Sequence, residues 1–142
     1  YNVVDDVAQF IDHLPQETCD VSILTDDADG AKCFSAELAL TAEEHSKGLM
    51  YRQSMPLDHG MLFVFDPPSP RQFWMKNTYI PLDIIFADEG GKIVHIDHTR
   101  MPHNETPMGP HEPVQYVFEI NGGLAKAYNI EKGDRLIAPQ KF

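Results

Sequence analysis

The chain has 142 residues with 42% hydrophobic composition, enough for one buried core and short for two domains. Lys and Arg number 11 against 22 Asp and Glu, and the resulting formal charge of -11 repels phosphate backbones and anionic lipid headgroups, so nucleic acid is not an expected partner. No apolar run approaches the roughly 20 residues that span a bilayer, so no membrane insertion is expected of the chain as given.

Residues 1–17 are acidic, and Val3, Val4, Val7, Phe10, Ile11 and Leu14 have helix-like spacing that stops before Pro15. A short helix or tail is expected there, followed by a single mainly β domain over 18–142. A hairpin of about 20–26 with 31–40 is expected to turn at Asp29-Gly30, a pair suited to positive backbone angles. That turn sets residue 23 against 36 and 21 against 38, which gathers Val21, Ile23, Ala36 and Leu38 on one face. It also sends Cys19 and Cys33 to opposite faces, so two unbridged thiols are expected and a disulfide would need a bulge or another turn.

Thr41 begins a capping box with Glu44, predicting a helix to about Gly48 with Arg52 delivered at its exit. Gly60 to Asp66 is apolar on both faces, the pattern of a central strand buried on two sides. Further strands are expected at 71–77, 82–88, 92–99, 114–121 and 135–138. Turns are expected at Glu89-Gly90-Gly91 and Gly133-Asp134, and a short helix within 122–129. The Pro-rich connection from Arg100 to Pro113 is about 14 residues long, a length that suits a functional lid or an Ω-type surface loop. The fold expected is a compact, mainly antiparallel β-barrel-like or sandwich domain with one or two short helices.

The segment Phe73-Trp74-Met75-Lys76-Asn77-Thr78-Tyr79-Ile80-Pro81-Leu82-Asp83 holds the single Trp and mixes aromatic, cationic, amide, hydroxyl and carboxylate groups. As strand, turn and strand, it places Phe73, Met75 and Asn77 on one face and Trp74, Lys76 and Thr78 on the other. Together with Gly48-Leu49-Met50-Tyr51-Arg52, Gly60-Met61-Leu62-Phe63, Tyr116-Val117-Phe118-Glu119 and Gly133-Asp134, this segment closely resembles the bacterial and archaeal family catalogued as domain of unknown function 192. The resemblance spans about residues 33–138. It implies a single mostly β domain with no established activity. Because relatives often follow a signal peptide or membrane anchor, it also implies a periplasmic or secreted location with a native signal segment removed. Two departures from the family pattern stand out. Relatives often carry a Cys pair in the loop that here contains His103 and Met108, and often Leu where this chain has Phe118.

Arg52, Trp74, Lys76, Asn77, Thr78 and Asp83 are the candidate ligand-binding residues. An Arg reads carboxylates with two parallel hydrogen bonds, and an indole offers a flat apolar floor, so a small polar or acidic molecule or a peptide end is the expected partner. The alternative for Asp83 is an internal ion pair with Arg52 or Lys76 that avoids an unpaired buried charge. Two enzymatic alternatives remain, an acid-base pair of Asp83 and Glu119 and a metal site at His95 and Asp97. A solvated strand face accounts for His95 and Asp97 equally well. A structural domain without a pocket is the third reading. No cofactor is expected, no Gly-x-Ser-x-Gly elbow is present, and the Met residues at 50, 61 and 75 read as core filling.

Overall fold

The computed structural model describes residues 19–26 and 30–139. The acidic segment expected as a helix or tail lies outside the described residues, as does Asp29 of the expected turn. The strands are β1 (Val21–Leu24), β2 (Ala31–Ala39), β3 (His59–Ser69), β4 (Leu82–Ala87), β5 (Ile93–Arg100), β6 (Val114–Asn121) and β7 (Arg135–Ile137), with helices α1 (Ala42–Lys47) and α2 (Leu124–Ala127). They form one 7-stranded sheet in the order β5-β4-β6-β3-β2-β1-β7.

One pair departs from the antiparallel expectation. β2 and β3 run parallel, with Leu38 opposite Leu62, and parallel neighbours need a crossover, which α1 and the chain after it supply. α1 starts where the sequence predicts: the Thr41 hydroxyl accepts the Glu44 amide at 3.1 Å while the Glu44 carboxylate accepts the Thr41 amide at 3.1 Å.

The sheet curls into a half-barrel whose two edges meet at one end. The Ile93 amide donates to the Asp134 carbonyl at 2.8 Å, and the Leu136 amide to the Gly91 carbonyl at 2.7 Å. Gly91 is suited to this closure: its φ is +85°, and a Cβ there would run into the Leu136 carbonyl oxygen.

Curling gives the sheet two buried faces. Inside lie Val21, Ile23, Phe34, Leu62, Ile85, Phe118, Ile120 and Leu136. Outside, under the chain from Leu49 to Ile80, lie Met61, Phe63, Ile84, Phe86 and Val117. β3 therefore alternates Met61 and Phe63 outward with Leu62 inward, which is why its sequence is apolar without a break.

The first hairpin differs from its expected register. Val21 faces Phe34 and Leu24 faces Ala31, so the loop is longer than two residues and each partner is shifted by four. Beyond β1 the pairing becomes irregular, because the Asp20 carboxylate accepts the Ala36 amide at 2.9 Å while the Asp20 amide donates to the Phe34 carbonyl at 2.9 Å. This brings Cys19 and Cys33 to a Cα separation of 5.3 Å, and they form a disulfide rather than two thiols. With its ends at a sequence separation of 14, the bridge is expected to contribute about 3 kcal/mol by restricting the unfolded chain. Chemical denaturation with and without dithiothreitol measures this directly. Equal midpoints would mean that the link restrains nothing in the unfolded chain.

The segment expected as a strand at 71–77 is not one. Only Phe73 pairs, with Met108 of the long loop, the two exchanging backbone hydrogen bonds of 2.8 and 3.0 Å. Alternation persists through buried Met75, then breaks at Asn77, whose φ is +52°, so Thr78 turns inward. The connection from Arg100 to Pro113 is held against this segment. Buried Arg100 donates to the Phe73 carbonyl at 3.1 Å and to the Thr106 carbonyl at 2.8 Å.

Candidate functional site

A cleft of about 230 Å³ opens between α1, the outer face of β3 and the chain from Arg71 to Thr78. Phe63, Phe65 and Leu49 supply apolar walls, Trp74 and Thr78 stand on one side, His45 on another, and Glu119 and Arg71 contribute the charged chemistry. β6 carries Glu119 to the outer face, opposite Ile84. Glu119 is only 4% exposed, and burial pushes its carboxyl up to about 8 although the nearby Arg100 charge opposes the shift. The group is therefore largely neutral at pH 7. Gly48, with φ +48°, sits over it; a Cβ there would lie 3.3 Å from Phe63 and 3.9 Å from the Glu119 Oε1.

Arg71 leaves β3 with its guanidinium carbon 4.2 Å from the centroid of the Phe65 ring. Its Nε is buried and has no hydrogen-bond partner among the described residues. A buried donor without an acceptor costs on the order of 1–3 kcal/mol. His45 is already engaged, with Nε2 2.8 Å from the Ala39 carbonyl and its ring 4.4 Å from that of Phe65.

The predicted cluster is only partly brought together. Trp74 and Thr78 line the cleft, and the Lys76 ammonium lies 5.1 Å from the Trp74 ring centroid. Asn77 donates to the Tyr51 hydroxyl at 2.9 Å on the neighbouring surface. Arg52 pairs through both guanidinium nitrogens with Glu37, away from this cleft, and that contact holds the Glu37 carboxyl below its ordinary range. Asp83 is paired with neither Arg52 nor Lys76. It is fully buried on the inner face and accepts backbone amides from Thr99 at 2.7 Å, Gly123 at 3.1 Å and Ala125 at 2.8 Å. Its work is to join β5 to the start of α2.

The strand register also separates the two nominated carboxylates. Asp83 lies opposite Ile120 and Ile84 opposite Glu119, so Asp83 points inward and Glu119 outward, and no common cleft receives both. His95 and Asp97 do touch, Nε2 to Oδ1 at 2.7 Å, but Asp97 is buried rather than solvated, with its other oxygen 3.5 Å from Arg100. Asp97 lies on the outer face, opposite Ile84, as alternation expects, but that face is covered by the outer core and not by solvent. The irregularity in the β4–β5 pairing between Phe86 and Ala87 instead puts Val94 in the outer core while Ile96 packs inward. Among the described residues no group of three or more His, Cys, Asp and Glu is arranged to hold a metal ion.

Arg71 was absent from the sequence-based candidates because it read as the first residue of a strand. Glu119 was nominated only as a partner for Asp83. Its signal is local: an acid between Phe118 and Ile120, two apolar residues of the strand expected at 114–121.

The model of the family named DUF192, described as an uncharacterised ACR, matches residues 23–138. The chain belongs to the DUF192 family. A protein of unknown function from Novosphingobium aromaticivorans DSM 12444 is 40% identical, with a TM-score of 0.78 over 82% of this chain and 82% of that one. A Sinorhizobium meliloti 1021 protein, provisionally described as a transcription regulator, is 42% identical, with a TM-score of 0.78 over 82% of this chain and 90% of its own. No curated protein matches the chain. Among the described residues no helix is long and apolar enough to cross a membrane.

Proposed function

We propose that this DUF192 protein is an exported binding module that takes a small polar or acidic molecule in the cleft beside Trp74. The observation that carries this reading is the Arg71 guanidinium, which forms no hydrogen bond or ion pair among the described residues and lines a concave space together with the rings of Phe63, Phe65 and Trp74. A guanidinium already stacked on Phe65 loses little freedom when an anionic group docks, which favours recognition of that group. The buried Glu119 supports the same reading: a carboxyl there costs folding energy that a Leu or Gln would not. The Cys19–Cys33 bridge supports export, since structural disulfides persist in oxidising compartments. A formal charge of -11 disfavours nucleic acid as the partner.

A thermal-shift screen of small carboxylates, amino acids and sugars tests the proposal. A ligand of this cleft is expected to raise the melting temperature of the parent, with the rise lost in Arg71→Ala and reduced in Trp74→Ala. Ligands that stabilise both variants as well as the parent would place binding elsewhere and overturn it.

A further inference from the structure

Two groups on the cleft lack partners, and they are of opposite kind. Arg71 offers a buried N–H with no acceptor. Among the described residues the Glu119 carboxyl receives no hydrogen bond and forms no ion pair, and the two do not pair with each other although both line the same space. The rings of Phe63, Phe65 and Trp74 line the same space. A simple carboxylate would satisfy Arg71 but leave the Glu119 carboxyl without an ionic partner. A simple amine would satisfy Glu119 but bring a second cation toward Arg71. A molecule with both ends answers both demands.

Resting on the binding reading above, we infer that the occupant is a small zwitterion of the α-amino acid class, its carboxylate on Arg71, its ammonium on Glu119 and its side chain against Trp74. The space agrees. A cleft of about 230 Å³ corresponds to about eight water volumes, room for an amino acid the size of alanine or leucine. The protons balance simply: the ligand keeps its ammonium, Glu119 goes from carboxylic acid to carboxylate, and the proton it held passes to the buffer. Binding near pH 7 therefore releases about one proton, because the free carboxyl titrates at about 8 and the ion pair lowers that value.

Isothermal titration calorimetry of the full chain with L-alanine, L-leucine, N-acetyl-L-leucine and isoamylamine, at pH 7 in two buffers of different ionisation enthalpy, tests this inference. L-leucine is expected to bind about tenfold or more tightly than either single-ended analogue, releasing about one proton. Glu119→Gln is expected to remove both the proton release and the preference for the free ammonium. Should that variant not fold, the comparison of L-leucine with N-acetyl-L-leucine on the parent decides alone. Equal or tighter binding of N-acetyl-L-leucine overturns the zwitterion assignment and leaves a carboxylate-binding module. No binding by any of these compounds, with no stabilisation by any compound in the wider screen, overturns both readings.

Discussion

Replacing Glu119 by Gln is expected to stabilise the protein above pH 8 by up to about 5 kcal/mol relative to the parent, and to change little near pH 4. Burial raises the folded-state value of this carboxyl from 4.5 to about 8, so folding favours its neutral form. Between those values the unfolded chain releases the proton and the folded chain keeps it. The favourable contribution is therefore complete below about pH 4.5 and is lost progressively as the pH rises through about 8. Urea denaturation of parent and variant across pH 4–9 isolates the effect, because titrations common to both cancel in the difference. A difference that stays level over that range would show that Glu119 is ionised in the folded protein.

Asp83→Ala is expected to cost about 4 kcal/mol, the sum of an emptied site and three backbone amides left without their acceptor. Ala125 loses the most, since its bond to Asp83 Oδ2 at 2.8 Å is fully buried, whereas Thr99 and Gly123 lie closer to solvent and can recruit water. Asp83→Asn is expected to cost about half as much. Its amide oxygen can still serve Thr99 and Gly123, which share Oδ1, while its NH2 group would oppose the Ala125 amide. The denaturant midpoint measures both variants, with an unchanged slope expected if the folded and unfolded states keep their extents. A loss below about 1 kcal/mol for the Ala variant would mean that the link between β5 and α2 does not depend on this carboxylate.

These two acids show where one-dimensional reading succeeds and where it stops. Both stood out as acids in apolar strands, and each does carry unusual chemistry. What could not be read was which way they face. A strand reverses the side of its side chains with every residue, so a single offset in pairing decides whether two carboxylates share a cleft or lie on opposite faces. Here Asp83 opposes Ile120, and the pair is split. The same dependence on offset misplaced Cys19 and Cys33, because Asp20 diverts the pairing at the end of β1. At β5 alternation puts Asp97 on the outer face, opposite Ile84, but that face is covered by the outer core, which no local pattern shows.

Local grammar alone determined the capping box that starts α1, the two-sided strand at β3, the short helix α2, the turn before β5 and the family to which the chain belongs. Each depends on residues close together in the chain, where spacing and dihedral preference act directly. Only the tertiary structure decided that Arg71, not Arg52, reaches the cleft, and that Glu119 forms part of it while Asp83 ties the backbone together. Those outcomes turn on contacts between β2 and Arg52, β3 and β6, and β4 and α2. Their geometry is set by sheet register and curvature summed over many strands, which no local stretch of residues encodes.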